Sequence, residues 1–334
     1  HATKILINSA YGAVGNQHFQ YYDVENAEAV TLTGQVVIQW MEKRINEYLN
    51  RLLKTSNVDY VVYIDTDALY ITLDELVKQV IPGKDNLATT EFIDRVCKTK
   101  LLPFISESYK EYFEYMNNYQ NLLVMNREII SDNAVWTGKK RYFMNVYDKE
   151  GKRFTDEPEI KVMGIEVVKS STPQVCRTKL KECLKIILRQ SEDDLIKHVS
   201  TFKKEFFTLP AEKVAFPRSV NDLEKYSAPD AVGIPIHVRS ALVYNKMLEA
   251  HDLTGFYDKI TSASKIKFMY LKMPNHTKGN VIGFLDKFPK EFGLDKTIDH
   301  ELQFEKTFLQ PLKTISDAVG WKTEKNEDIS AFFT

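Results

Sequence analysis

The chain of 334 residues is 43% hydrophobic and 27% charged, which is typical of a globular protein and long enough for two domains. Its 45 lysines and arginines balance 46 aspartates and glutamates, so bulk charge does not indicate a nucleic-acid partner and only local clusters can. We expect neither a membrane span nor a signal peptide. The three cysteines are spaced neither as a zinc site nor as a disulfide framework, so a reducing cytoplasm is the expected compartment.

The first stretch with functional character is residues 4–12. Lys4, Asn8 and Tyr11 are spaced i, i+4, i+7, so on a helix they share one face. A cation, an amide and an aromatic ring on one face suit a nucleoside triphosphate, and Gly12 permits close approach or ends the helix. The alternative is an ordinary helix end with a solvated lysine and a packed tyrosine, and spacing alone favours that alternative.

A long amphipathic helix is predicted over residues 26–54, with Val37, Met41, Ile45, Tyr48 and Leu52 forming the apolar stripe that backs the next segment. That segment, residues 60–71, is predicted to be a β-hairpin bent at Asp65-Thr66-Asp67. Two carboxylates this close repel each other unless a cation lies beside them, and Mg2+ favours carboxylates plus substrate phosphates. The hairpin therefore predicts a magnesium site, with a solvated Asp-rich turn as the alternative.

Helices are predicted over 73–81 and 90–118, and a strand over 121–131 that carries Glu128. If that strand lies beside the hairpin, Glu128 adds a third carboxylate to Asp65 and Asp67. Otherwise Glu128 pairs with Arg127 or Lys139. The next segment, Gly138 followed by Lys139, Lys140, Arg141 and Tyr142, is the densest basic patch and suits phosphate. A charge run is usually a solvated face, but this one leads into an apolar strand, which favours function.

A turn is predicted at 148–151 and a strand over 162–168, followed by Lys169, Ser171 and Thr172 before a helix. Thr172 is the predicted N-cap with Pro173 at the first helical position, and Lys169 with the nearby hydroxyls forms an anion site. His237 and Arg239 lie at the start of another helix and also suit phosphate.

The second half is predicted to be mainly helical. Helices are expected over 173–190, 193–207, 239–250 and 301–314, strands over 266–273 and 280–285, and a long loop over 210–235. The tail from residue 322 is polar until Ile329, Phe332 and Phe333, which indicate either a docking peptide or a tail packed on its own domain.

Three of these motifs, in this order, resemble those of family B DNA polymerases, above all the replicative enzymes of T-even-like tailed phages. Lys4-x-x-x-Asn8-Ser9-x-Tyr11-Gly12 resembles the polymerase B motif, Asp65-Thr66-Asp67 the C motif, and Lys139–Tyr142 the KKRY-type motif. Residues 163–173 and 237–239 are similar to palm-to-thumb and thumb segments. The resemblance implies an α+β fold in which an antiparallel palm sheet backed by helices precedes a mainly helical thumb. The domains it implies are the end of the fingers (1–15), palm (16–170), thumb (171–321) and a clamp-binding tail (322–334).

The resemblance also implies a role for each site residue. Lys4, Asn8, Tyr11 and Gly12 would bind the incoming dNTP. Asp67, with Asp65 beside it and Glu128 nearby, would hold two Mg2+ ions. Primer-template DNA would be held by Lys139, Lys140, Arg141, Tyr142, Lys169, Ser171, Thr172, His237 and Arg239. Ile329, Phe332 and Phe333 would bind a sliding clamp.

Two features depart from the family pattern. Ala68 stands where the family usually has serine, and no D-x-x-S-L-Y-P-like motif with the other metal-binding aspartate occurs in the 334 residues. Because two-metal transfer needs carboxylates from both strands, we expect a C-terminal part of a split or truncated polymerase, inactive until an N-terminal polypeptide supplies that aspartate and the exonuclease. The expected location is the cytoplasm of the infected bacterial host.

Two other readings compete with this one. The first is a non-catalytic subunit that binds DNA and a sliding clamp, for which the missing aspartate and Ala68 argue. The second is an unrelated magnesium-dependent phosphatase or nuclease that uses Asp65 and Asp67, although no water-activating histidine is evident near them in the sequence.

Overall fold

The computed structural model describes residues 2–226, 229 and 233–325. They form two compact units, the first from residues up to 132 together with 146–159, and the second from 133–145 together with residues from 160 onward. Each combines helices with antiparallel strands, so the predicted α+β class is confirmed. No helix in these described ranges is long and apolar enough to cross a membrane.

The first unit begins with two helices and a hairpin. Its elements are α1 (Ala2–Val14), α2 (Val24–Leu53), β1 (Val61–Asp65), β2 (Ala68–Ile71), α3 (Asp74–Val80), α4 (Asn86–Val96) and α5 (Leu102–Tyr115). A π-helical turn, Cys97–Leu101, joins α4 to α5, and Pro103 lies directly after it, in the first turn of α5.

The core of this unit is the apolar stripe of α2. Met41, Ile45 and Leu49 are fully buried and pack with β1 and α5, as the periodicity predicts. Leu52, predicted in the stripe, is instead 46% exposed, because steps of four residues from Ile45 lead to Leu53. Helix α2 therefore backs the hairpin, as expected.

Four more strands follow: β3 (Ile129–Gly138), β4 (Arg141–Lys149), β5 (Lys152–Arg153) and β6 (Glu159–Met163). Strand β4 pairs with each of the other three. The strand predicted over 121–131 is wrong before Ile129, because Leu122 and Val124 are exposed and no described strand pairs with that stretch. The strand predicted over 162–168 is also wrong beyond Met163, since Gly164 turns the chain with φ +66°.

The second unit continues with helices around a small sheet. Its further elements are α6 (Gln174–Arg189), α7 (Glu192–Phe206), α8 (Ala211–Val214), β7 (Phe216–Ser219), α9 (Ile236–Ala250), β8 (Lys265–Tyr270), β9 (Val281–Phe284), α10 (His300–Phe304) and α11 (Gln310–Ser316). Strands β7, β8 and β9 pair antiparallel in that order. A cluster of phenylalanines from α7, α10 and the following π-helical turn fills the core, with Phe202 and Phe308 ring centroids 4.7 Å apart.

Two expectations for this unit are corrected. The predicted loop over 210–235 contains α8 and β7, because Phe216 pairs with buried Phe268 across the ladder. Thr172 is not the N-cap of α6: Pro173 occupies that position with an extended ψ of 141°, so the helix begins one residue later. The two cysteines of α6, Cys176 and Cys183, are buried free thiols.

Candidate functional site

The two aspartates lie at the turn between β1 and β2. Asp65 is the last residue of β1 and pairs with Ala68, so Thr66 and Asp67 alone form the turn. Asp65 is half-buried and Asp67 exposed. Thr66 has φ +61°, a left-handed conformation that is unfavourable for a β-branched residue, and its hydroxyl donates to Asp65 Oδ1 at 3.2 Å. The short turn therefore holds two carboxylates close together.

The register of the hairpin shows which way Asp65 faces. Tyr63 lies opposite Tyr70, with ring centroids 5.4 Å apart, and alternation along β1 puts Asp65 on the same face as Tyr63. Ile64 and Leu69 lie on the other face and pack against the core of the first unit. Asp65 therefore points away from that core.

The chemistry of these side chains fits magnesium in part. Mg2+ takes oxygen ligands and usually keeps waters or phosphates alongside one or two carboxylates. Within the described ranges, no three His, Cys, Asp or Glu side chains lie close enough together to hold a metal ion. Asp65 and Asp67 can thus form one side of a magnesium site but not an all-protein cage.

The environment of Asp67 is marked by Tyr109 on α5. Burial, and then the negative charge of Asp67, raises the pKa of the Tyr109 phenol. The phenol therefore stays protonated at neutral pH. Helix α5, for which the sequence predicted no role at the site, thus carries a phenol that responds to the charge of Asp67.

Glu128 is exposed and precedes β3, where its backbone oxygen accepts the N–H of Glu150 at 2.6 Å. It does not join Asp65 and Asp67 in a group of three carboxylates within the part of the chain that is described. Its neighbour Arg127 pairs instead with Asp94 at 2.9 Å and with Asp148. A metal role for Glu128 stays a prediction.

Asp148 is a residue that the sequence analysis missed, because its stretch looked like a plain hairpin turn. Its side chain is fully buried and accepts from Arg127, from Arg153 Nε at 3.0 Å and from the Gly151 N–H at 3.0 Å. Its partner Arg127 is far away in sequence, so no local spacing signals the network.

The predicted nucleotide-binding residues lie on α1, which is helical as expected. Tyr11 is 47% exposed, and no described atom lies within 4 Å of where a Gly12 Cβ would be. This face is open. The side chains of Lys4 and Asn8 lie outside what the structure describes.

The basic patch forms the turn of the β3–β4 hairpin. Lys139 and Lys140 are the turn residues, Lys140 with φ +58°, and Arg141 begins β4. Tyr142 is only 2% exposed and its ring lies 6.2 Å from that of Trp136, so it anchors the turn from below. A direct DNA contact by Tyr142 stays a prediction.

Glu166 connects this turn to the anion site predicted at Lys169. Arg141 Nη2 lies 3.1 Å from Glu166 Oε2, and Lys169 Nζ lies 2.9 Å from Glu166 Oε1. Burial would raise the pKa of Glu166, but the Lys169 hydrogen bond and the Arg141 charge outweigh it and lower the pKa. The carboxylate is therefore ionised between two cations. No pattern in the sequence predicted a role for Glu166.

Arg218 connects the same region to α9. Its Nη1 donates to the backbone oxygen of Ser171 at 3.1 Å. Burial, and then the charge of Arg218, lowers the pKa of His237, so that histidine is neutral at pH 7. The structure thus places Arg218, which the sequence had assigned only to a loop, against the Ser171 backbone and close enough to His237 for its charge to act on that histidine.

The remaining predicted residues have simpler outcomes. Thr172 is 5% exposed, which leaves little of its side chain for a ligand. Arg239 is half-buried in the first turn of α9, and its Nε has no hydrogen-bond partner among the described residues. Ile329, Phe332 and Phe333 lie outside the described residues.

Comparison with known proteins gives one consistent result. Residues 1–87 match the model of DNA polymerase family B. The chain is 35% identical over 348 residues to the DNA-directed DNA polymerase of Enterobacteria phage T4, covering 99% of this chain and 38% of that protein. It is also 35% identical over 355 residues to the DNA-directed DNA polymerase of Escherichia phage RB69, with the same coverage.

A more distant relative is a DNA polymerase of Pyrococcus glycovorans, 30% identical over 232 residues, which cover 68% of this chain and 25% of that protein. The chain spans about 38% of the length of the two phage relatives. The motif order, the α+β architecture and these matches agree, and the chain belongs to DNA polymerase family B.

Proposed function

We propose that this chain carries part of the active site of a DNA-directed DNA polymerase, with Asp65 and Asp67 as ligands of catalytic Mg2+. The observation that carries the proposal is the Thr66-Asp67 turn, which holds two carboxylates at the end of a hairpin and faces Asp65 away from the core. The phage relatives, both named DNA-directed DNA polymerase, support the same activity.

In such a site the bound Mg2+ ions supply Lewis-acid activation of the primer 3′-hydroxyl and neutralise charge on the triphosphate. The chain's own contribution is to orient the carboxylates and bind the substrates. Helix α2 fixes the start of β1 through Asn46, whose Oδ1 accepts the N–H groups of Tyr60 at 2.8 Å and Val61 at 3.2 Å. Lys4, Asn8, Tyr11 and Gly12 on α1 would receive the dNTP.

The opposing carboxylate comes, in this proposal, from polypeptide other than these 334 residues, whether continuous with them or separate. Two observations support it: the sequence carries no second aspartate motif of the family, and the described residues contain no group of three possible metal ligands. In the same proposal residues 1–15 end the fingers, 16–170 form the palm and 171–321 the thumb.

Primer-template DNA would bind along the second unit. Lys139, Lys140 and Arg141 at the β3–β4 turn, and Lys169 beyond β6, would contact phosphates. Such contacts release counterions, so DNA affinity should fall steeply as salt concentration rises. Binding that does not change with salt would contradict these phosphate roles.

The test of catalysis is primer extension by the 334-residue chain with and without a polypeptide that supplies the family's other aspartate motif and the exonuclease. We expect extension only in the assembled enzyme, and a loss of at least a hundredfold in Asp67→Asn, because a metal ligand is removed. Extension by the chain alone would contradict the shared site, and an active Asp67→Asn assembly would contradict the metal role.

The alternative is a non-catalytic subunit that binds DNA and a sliding clamp. Ala68, which lies directly opposite Asp65 where the family usually has serine, is the observation that favours it. This alternative predicts that Asp67→Asn leaves the assembled activity unchanged while removal of residues 326–334 weakens clamp binding. Asp67→Asn therefore discriminates between the two functions, whereas weaker clamp binding after removal of the tail is expected of both.

A further inference from the structure

We propose that Glu166 is a positioning residue that fixes Arg141 and Lys169 side by side as one two-cation phosphate clamp. The inference rests on the proposed function, since it takes these cations to bind DNA backbone, and it assigns to Glu166 a role in that binding. A carboxylate at a phosphate-binding surface is otherwise unfavourable because it repels the ligand.

The contacts of Glu166 show why it can act in this way. One carboxylate oxygen lies 2.9 Å from Lys169 Nζ, and both oxygens lie 3.1–3.3 Å from Arg141 Nη2. The Glu166 side chain is only 24% exposed, so these interactions are less screened by salt than those of an open surface pair. The two cations come from separate segments, and Glu166 is the group that joins them.

The segment carrying Glu166 is itself held rigidly. Ile165 and Val167 on either side are 0% and 1% exposed, which anchors the backbone in the core of the second unit. Gly164 lies so close to the β3–β4 turn that a Cβ there would be 2.2 Å from the Lys140 backbone oxygen. Beyond Lys169, Arg218 holds the Ser171 backbone oxygen at 3.1 Å. The backbone that carries Glu166 is thus held in place on both sides.

Arg141 retains donors for a ligand while it is held. Its contact with Glu166 uses Nη2, which leaves Nη1 for a ligand, whereas Nε is buried and has no hydrogen-bond partner among the described residues. A guanidinium whose orientation is fixed loses less conformational entropy when it binds a phosphate. Glu166 therefore offsets its own repulsion of DNA by ordering both cations in advance.

The experiment is a double-mutant cycle on duplex DNA binding by the 334-residue chain, measured by fluorescence anisotropy at several salt concentrations. Arg141→Ala, Lys169→Ala and the double variant are compared in the wild-type and Glu166→Gln backgrounds. If Glu166 joins the cations into one unit, each single variant loses about tenfold in affinity and the double variant little more. In the Glu166→Gln background, the two losses should multiply instead.

The salt dependence gives a readout that a purely structural role would not change. Glu166→Gln removes a competing charge, so the slope of log affinity against log salt should become steeper by about one ion. Glu182→Gln is the matched control: Glu182 forms the same i, i+3 pair with Lys179, at 3.3 Å, on α6. We expect the control to leave both the coupling and the slope unchanged.

The outcomes separate the two levels of the proposal. A wild-type chain that does not bind duplex DNA overturns the DNA-binding part of the proposed function and this inference with it. A chain that binds, but in which the Arg141 and Lys169 losses multiply equally in both backgrounds, or in which Glu166→Gln shifts the slope no more than Glu182→Gln does, overturns this inference alone.

Discussion

A Cβ atom added to Gly164 would lie 2.2 Å from the backbone oxygen of Lys140. This relationship joins the end of β6 to the turn of the β3–β4 hairpin, and it leaves no room for any other residue, since Gly164 also has φ +66°. The lysines of that turn therefore depend for their position on a residue that carries no side chain.

Gly164→Ala should destabilise the second unit by about 2 kcal/mol or more, because the substitution combines an unfavourable φ with a backbone clash. Denaturant unfolding measures this change. Gly293→Ala is the control, since Gly293 has φ +61° but no atom within 4 Å of its Cβ position, and it should cost only about 1 kcal/mol. Equal losses at the two glycines would show that the contact with Lys140 is unimportant.

Asn46→Ala should loosen the carboxylate hairpin. The Asn46 side chain accepts from the N–H groups of Tyr60 and Val61 and donates to Asp59 at 2.8 Å. Its loss removes the acceptor of the Tyr60 N–H and one of the two acceptors of the Val61 N–H, which keeps Asp59 Oδ1 at 3.1 Å, at a cost of about 1–3 kcal/mol. Amide hydrogen exchange should accelerate at Tyr60 and Val61.

Asn50→Ala serves as the control for this variant. Asn50 makes equivalent bonds one turn further along α2, to the backbone of Val58. Its loss should accelerate exchange at Val58 and leave Tyr60 and Val61 protected. Faster exchange at Val58, Tyr60 and Val61 in both variants would mean that the segment opens as a whole and that Asn46 has no separate effect on the start of β1.

Asp148→Ala should be strongly destabilising, because it leaves Arg127 and Arg153 without their fully buried partner. Breaking a buried pair on one side costs about 3–5 kcal/mol. Glu159→Ala removes an exposed partner of Lys149 at 3.8 Å and should cost less than about 1 kcal/mol. Thermal unfolding compares the two, and a small loss in Asp148→Ala would mean that Asp94, which lies 2.9 Å from Arg127 and 3.6 Å from Arg153, is a sufficient partner for both arginines.

Stability should fall in acid partly through Asp94. The hydrogen bond from Lys98 lowers the pKa of Asp94 below its ordinary 3.8. Burial opposes this shift, and the charge of Arg127 adds to it. The unfolded chain therefore takes up this proton at a higher pH than the folded chain does, so the contribution is complete above about pH 4 and is lost as pH falls toward the folded pKa. Urea unfolding of wild type and Asp94→Asn between pH 3 and pH 7 measures it, and a difference that does not shrink in acid would contradict this origin.

The elements that were predictable from sequence are those fixed by local patterns. The period of Val37, Met41 and Ile45 identifies α2, and the aspartates between β-forming residues identify the hairpin turn. Both signals arise from residues within one or two turns of each other, so no distant contact can override them easily.

The errors arise where a distant contact decides. Residues 121–128 have the composition of a strand, yet no described strand pairs with them, so composition alone misleads. Gly164 lies against the backbone of Lys140, and Glu166 meets Arg141 from another segment. No spacing rule connects residues so far apart in sequence, which is why the two-cation arrangement became visible only in the fold.

The left-handed backbone of Thr66 has a practical consequence for anyone who wishes to make this protein more robust. A glycine at this position would relieve the conformational penalty of the left-handed backbone, which should raise the melting temperature, and it would give up the hydroxyl contact with Asp65. The added backbone freedom would, however, lie in the turn that holds the Asp65 and Asp67 carboxylates close together, and it would let their separation vary. Selection for thermal endurance and selection for turnover should therefore favour different residues at Thr66.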